Sequence, residues 1–499
     1  MRPGREGLLR NAASKAIGGA ARVVPARDAV LVLGARPWLA GPDALGRPAF
    51  TALQCPALAA AAVLPDGRIL AAGPGREVRV LALDDAQRRG ALHRHAVPLP
   101  APCRRLAVHD ASGAFLAVLG AGAALVNPFT GEAALLPLDA DVAVVAGAFV
   151  AFHDAPDAWH VAVAWARGLA LAPRAAAACG IDLFPVRLAG GGALPAPLLH
   201  RTPLEGAVPA ALAAFNGRLL VAAGCELSLY ECGHARLLRK AQTRLPSPAT
   251  CLATQGLRVY AGTLRDSLLL LQYRADGPQL VLVADDPCPR GVCSLAVVDY
   301  DTVALGDRHG TFSLLRLPAS TSDQVDREAA LPASSAAPPE QLLAAPFKLE
   351  RLADFFLGDL IVHLARCAWT PGDREALWYV TVSGAVGLFL PLPTQGAASL
   401  AQQLEAALRC LSPDAVNGAA PHVTHLDLLG RAHAAFRSSF LPCKAVVDGD
   451  LVEALVLTGP GAPLSDALKH QAVAAIPDCD KSLAELTARI FQWRSMAGL

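Results

Sequence analysis

The chain has 499 residues, more than one ordinary domain holds, and its 53% hydrophobic against 17% charged residues exclude disorder over most of the length. Net charge is +1, and the densest basic patches, residues 93–105 and 236–240, are short and poor in aromatics, which argues against a self-sufficient nucleic-acid binder. Twelve scattered cysteines without a CxxC pair point to reduced thiols of the cytosol or nucleus, and no apolar run is long enough to span a membrane.

Only six of the 44 basic residues are lysine, which with the abundant alanine reads as coding bias and carries no functional weight. Residues 1–28 form an N-terminal segment, disordered or part of a first blade; its first part is basic and nearly acid-free, as an organellar transit peptide can be. From residue 29 to residue 392, apolar runs of four to seven residues alternate with turn chemistry: AVLVLG, LPDGRILAAG, EVRVLAL, RRLAVHDASGAFLAVLG, WHVAVAWARGLAL and GRLLVAAGCELSLYE. Asp66-Gly67, Ser112-Gly113 and Asn216-Gly217 stand at the turns. Many short strands mean a sandwich, barrel or propeller, and the span is too long for the first two as single domains. At roughly 40–50 residues per blade it fits about seven blades, although the Gly-His and Trp-Asp signature of WD repeats is absent. Residues 319–346, rich in Ser, Pro and Ala, read as a flexible surface loop.

Beyond residue 393 the period changes. Leu400, Leu404, Leu408 and Leu411 share one helical face, and residues 466–476 continue the behaviour. A last helix is expected with Asp480 capping its start and Leu483, Leu486, Ile490 and Trp493 on one face. The expected organisation is therefore mainly β: a seven-bladed β-propeller over 29–395, then a small α-helical C-terminal domain over 396–499.

Chemistry-bearing residues each have a plainer reading. Asp299, Asp301, Asp307 and His309 crowd one stretch, but Asp307 to Gly310 reads as a tight turn between two strands, with Gly310 supplying the backbone freedom and Asp307 accepting local amides. Cys288, Cys293 and His309 lack the second tight pair of a structural zinc site, so buried thiols on adjacent strands are favoured. Asp285 and Asp286, adjacent on a strand, point to opposite faces and cannot easily share acid–base work. The GPG segments at Gly73 and Gly459 lack the third glycine of a nucleotide loop, no GxSxG occurs, and DGDLVE from Asp448 lacks calcium-loop spacing. His93 and His95 read as exposed. No catalytic, cofactor-binding or metal-binding residue is assigned, and the chain reads as a non-enzyme.

Residues 258–318 carry Asp266-Ser267, Gln279-Leu280, Ala284-Asp285-Asp286, Pro289-Arg290, the run from Asp299-Tyr300-Asp301 to Thr302-Val303-Ala304, and Arg316-Leu317-Pro318, all in order. This combination resembles the third propeller of the splicing factor 3b subunit 3 family, a branch of the CPSF-A superfamily. Residues 200–240 resemble the family's stretch from a K-T-P-V-E-E turn to L-L-R-K, and residues 430–455 resemble its tail segment ending in V-I-D-G-D-L. Before residue 200 the likeness is weaker. The sister branches are the large subunit of damaged-DNA-binding protein, a ubiquitin-ligase adaptor, and the large subunit of the cleavage and polyadenylation factor; the D-Y-D-T-V and R-L-P elements fit the splicing branch better.

Departures exist: Gly291 stands where the family has a tryptophan, Phe356 where an N-Y-H-V-G-E segment has a histidine, and residues 319–346 have lost the family's sequence. The family builds three propellers and a helical tail, and the chain corresponds to the last propeller and the tail, so it is expected to be a fragment or a short form unable to form the family's clamp alone. The resemblance implies a nuclear, non-enzymatic scaffold of pre-mRNA splicing without cofactors. Its implied partners are the helical-repeat subunit and the small companion subunit of splicing factor 3b, with pre-mRNA or snRNA met only through the complex. A sister-branch adaptor is the alternative, and a generic binding propeller with an organellar address the third reading. Arg437, Lys444, Asp448, Asp450 and Leu451 match the tail motif and stand as either partner contacts or residues that dock the tail onto the propeller.

Overall fold

A computed structural model describes most of residues 97–409, with gaps that include 110–113, 128–132, 330–344 and 369–374; in the tail it describes 445–456, 464–476 and 482–496, and before residue 97 chiefly the strands. The chain divides into two compact units, residues 1–96 with 368–375 and 494–499, and residues 97–367 with 376–493.

In the first unit Ala20–Ala26, Ala29–Gly34, Trp38–Pro42 and Pro48–Ala52 form a four-stranded antiparallel meander, and Ala60–Val63, Ile69–Ala72 and Val78–Leu81 a three-stranded one. Leu31, Leu33, Leu39, Leu58 and Ile69 are buried together. In Ile69–Ala72 apolar alternation supplies this core, with Ile69 and Ala71 buried and Leu70 exposed between them.

The second unit repeats the same antiparallel plan. Its sheets begin with the strands Arg105–Val108, Val142–Phe152, Pro209–Phe215, Ala249–Gln255, Val292–Val297 and Ile361–Cys367. Each of these first strands packs against the first strand of the next sheet. Val142–Phe152, Ala155–Arg167 and Ala178–Ala189, at 11, 13 and 12 residues, exceed the four to seven expected for the apolar runs. His200–Leu204 pairs along the last of them, and there the fully buried Asp182 accepts Trp165 Nε1–H at 2.8 Å and the fork of Arg201 at 2.8 and 2.7 Å.

A structural repeat absent from the side-chain sequence runs through these sheets. The first strand loses register by one residue against the second between Val144 and Ala146, Pro209 and Ala211, Ala249 and Cys251, Val292 and Ser294, and Ile361 and His363; Ala20 and Arg22 do the same in the first unit. Such bulges sharpen the local twist of a strand. Hydroxyls at or beside the bulges bond onward: Thr250 Oγ donates to the Val292 carbonyl at 2.5 Å and Ser294 Oγ to the Ile361 carbonyl at 3.0 Å, each reaching the following sheet. Glycine leaves room for that approach, since a Cβ on Gly262 would lie 2.7 Å from Val292 Cγ1, and one on Gly306 would lie 2.7 Å from Ile361 Cβ.

The segment read as a loop from residue 319 begins instead with a helix, Ala319–Ala329 (α1), and residues 330–344 lie outside the described residues. Val325 is buried with Tyr260, Leu268, Leu270 and Leu315, and Ser322 is 4% exposed. Tertiary contacts thus stabilise a polar helix that its composition does not advertise.

In the tail, Gln395–Arg409 (α2), Gly449–Glu453 (α3), Asp466–Ala474 (α4) and Leu483–Met496 (α5) bury Leu400, Leu404, Leu408, Leu451, Leu468, Leu486 and Ile490 in one cluster, with Leu483 and Trp493 packed against it. Leu411 and Asp480 lie outside the described residues. The last helix begins with a reciprocal cap: Ser482 Oγ accepts the Glu485 amide at 3.3 Å, and the Glu485 carboxylate accepts the Ser482 amide at 3.1 Å.

Candidate interaction surfaces

The acid-rich stretch folds as three strands of one sheet, Val292–Val297, Thr302–Asp307 and Thr311–Arg316, and the structure gives each acid a separate task. Asp307 accepts the amides of His309 and Thr311 at 2.8 and 2.9 Å, closing the turn in which Gly310 sits at φ +82°, where a Cβ would lie 2.9 Å from the Asp359 amide nitrogen. His309 accepts from Arg308 Nε at 3.2 Å. Burial pulls the Asp299 pKa upward, but hydrogen bonds from Thr302 and the Asp301 amide, with Arg316, outweigh it and hold the carboxyl below the usual range.

Asp301 reaches further. It accepts Arg258 Nη1 at 2.7 Å and the Ser322 hydroxyl at 2.6 Å. Arg258 is fully buried; its Nη2 meets Ser322 Oγ at 2.8 Å and Asp326 at 3.1 Å, and its guanidinium lies 3.9 Å from the centroid of the Tyr300 ring. Tyr260 donates to the Tyr300 carbonyl at 2.9 Å, and burial pushes its hydroxyl up to about 12. The family-like run from Asp299 to Ala304 is therefore a fastening that holds α1 against the sheet through one buried arginine.

Asp285 and Asp286 part company as expected for neighbours on a strand. Asp286 is buried and accepts from Ser267 Oγ at 2.6 Å, from the Cys288 amide at 3.0 Å and from Arg290, whereas Asp285 meets Lys348 Nζ at 2.5 Å. Burial raises the pKa of Cys293, and pushes Cys251 on the neighbouring first strand up to about 12, so both behave as inert thiols. Among the described residues no group of three or more His, Cys, Asp or Glu side chains is placed to hold a metal ion, and no helix is long and apolar enough to cross a membrane.

Of the tail residues, Asp448 accepts the Leu451 amide at 3.4 Å as the N-cap of α3, and Leu451 is 0% exposed within the helical cluster, leaving it no surface for a partner. Asp450 lies in the same helix, while Arg437 and Lys444 fall outside the described residues. Just before the cap, Val446 packs against the cluster of Phe312, Phe355, Tyr379 and Phe389 on the strands. Of the two basic patches, residues 93–96 are also outside the described residues, and Arg104 and Arg105 are exposed.

The CPSF A subunit region matches residues 126–456. Splicing factor 3B subunit 3 of Danio rerio is 33% identical over 369 residues, covering 73% of this chain and 28% of the relative. The protein of the same name in Drosophila melanogaster is 33% identical over 322 residues, 64% of this chain and 25% of the relative. Pre-mRNA-splicing factor RSE1 of Mycosarcoma maydis is 34% identical over 303 residues, 60% of this chain and 23% of the relative. The chain thus spans less than a third of the length of each of these relatives.

Proposed function

This chain belongs to the CPSF A subunit family, and from that premise we propose that it is a non-enzymatic scaffold of the splicing factor 3b complex, acting in the nucleus through protein contacts. The observation that carries the reading is the similarity to splicing factor 3B subunit 3 over most of this chain. The proposed architecture is a β-propeller, near seven blades, bearing a helical tail. Its support is the succession of antiparallel sheets that abut through bulged first strands, which is how blades surround an axis. A rigid ring offers loops and blade faces as contact surface without a moving part. The acids that looked like chemistry serve turns and the Arg258 fastening, which suits a scaffold.

The proposed partners are the helical-repeat subunit and the small companion subunit of splicing factor 3b, with RNA reached only through them. Arg437, Lys444 and Asp450 remain proposed contacts of the tail, whereas Asp448 and Leu451 are proposed to build it. Gel filtration of the full chain mixed with those two recombinant subunits tests the assignment. A shared peak is expected; separate elution, together with co-elution with a cullin ligase or a cleavage-factor subunit, would move the chain to a sister branch.

A further inference from the structure

Arg105 and Arg174 converge on consecutive main-chain oxygens. Arg105, the first residue of its strand, donates Nη1–H to the Ala210 carbonyl at 2.9 Å, and Arg174, in the short strand Arg174–Ala175, donates Nη2–H to the Pro209 carbonyl at 2.9 Å. Those carbonyls lie at the bulge where the Pro209–Phe215 strand slips against its neighbour, so Ala210 stands outside the ladder of paired residues. Each bond uses one of five guanidinium N–H donors. Partial burial lowers the Arg174 pKa, and the nearby Arg105 charge lowers it further. No carboxylate among the described residues forms a salt bridge with either arginine. Two like charges therefore sit side by side with spare donors, and neither is paired with a carboxylate of the described residues.

Apolar surface adjoins the pair. Leu171 stands directly opposite Arg174 in the hairpin of Ala170–Leu171 and Arg174–Ala175, hence on the same face, and is 80% exposed.

We propose that Arg105, Arg174 and Leu171 form a docking site for a short acidic segment of a partner protein, a carboxylate lying between the guanidiniums and an adjacent apolar side chain covering Leu171. A carboxylate would relieve the repulsion of the pair and accept the bidentate geometry that guanidinium favours. Single-stranded RNA would call for stacking rings and a longer cationic track, and the patch offers the aliphatic Leu171 beside two cations. The proposal rests on the scaffold reading only in taking the surface to meet a protein.

Fluorescence anisotropy with the full chain tests it, using a labelled short peptide of alternating glutamate and leucine, its glutamine counterpart, and an oligouridylate of matching length. The acidic peptide is expected to bind more tightly than both, and to weaken as salt is raised. Arg105→Gln with Arg174→Gln should lower its affinity about tenfold or more. Leu171→Glu, an exposed change that keeps both guanidiniums, should lower it as well, while Arg236→Gln with Arg239→Gln, removing the same charge elsewhere, should not. The proposal is overturned if the acidic peptide does not bind, if the glutamine peptide or the oligouridylate binds as tightly, or if Leu171→Glu has no effect. Because the probes are synthetic, such a failure leaves the co-elution test of the complex untouched.

Discussion

Arg258 and Asp301 are joined at 2.7 Å, from a fully buried guanidinium on one sheet to a carboxylate in the turn of the next, and the same guanidinium holds Ser322 and Asp326 of α1. Removing one partner from a buried pair strands the other charge. Arg258→Ala should cost about 3–5 kcal/mol, whereas Asp326→Asn, at a side chain 40% exposed, should cost less than about 1 kcal/mol. Urea midpoints give the order. Hydrogen exchange should quicken first across residues 319–329; uniform loosening of every sheet would contradict the fastening role.

Gly306 is required for room, not for turn geometry. An added Cβ would meet Ile361 Cβ at 2.7 Å, and a β-branched neighbour has little freedom to withdraw. Gly306→Ala should destabilise by about 1–3 kcal/mol. Gly122→Ala, with nothing within 4 Å of the added carbon, should be neutral or slightly stabilising. Equal urea midpoints for the two variants would rule out close approach of neighbouring first strands as the reason for the glycine.

Stability should fall on mild acidification. His160 is 8% exposed with its ring edge-on to Phe152, and desolvation lowers its pKa from 6.5 despite the opposing influence of the Ala158 backbone and Asp154. The unfolded chain therefore binds the proton first. The contribution of this group is complete above pH 6.5 and is lost as pH falls from there through the lowered folded-state value. His160→Gln should flatten the slope of Tm against pH over roughly pH 5–7. His363, whose pKa desolvation also lowers, keeps part of the slope. An unchanged slope in the variant would show that His160 does not carry the effect.

Leu451 and Asp448 separate core from cap in the tail. Leu451→Ala should cost about 2–5 kcal/mol as a cavity in the helical cluster, and Asp448→Ala about 1 kcal/mol as a lost N-cap. Hydrogen exchange of residues 395–409 and 449–453 reads both changes. A Leu451→Ala variant with unaltered exchange would place that side chain outside the core.

Much of this architecture was legible in single residues. Asn216-Gly217 announces a hairpin turn, and the structure holds the two at φ 43° and 66°. The leucine spacing of α2 and the Ser482-to-Glu485 capping pair are equally local, although Asp480 offered itself as the cap. α1 was illegible because its sequence is polar and what holds it lies far away in the chain: Val325 packs with Tyr260, Leu268 and Leu270, and Ser322 and Asp326 meet Arg258. The repeated bulge was hidden for another reason: Val145, Ala210, Thr250, Cys293 and Val362 occupy the slipped position, and a bulge of this kind needs no particular side chain. Arg105 stood out as part of a basic patch, but its pairing with Arg174 comes from topology, which local patterns do not encode.

Affinity purification of the tagged full chain from nuclei, followed by mass spectrometry, addresses the scaffold reading directly. Enrichment of the helical-repeat and small companion subunits of splicing factor 3b over cullin and cleavage-factor subunits is predicted. Recovery of ubiquitin-ligase, cleavage-factor or organellar proteins without any splicing factor 3b subunit would contradict it.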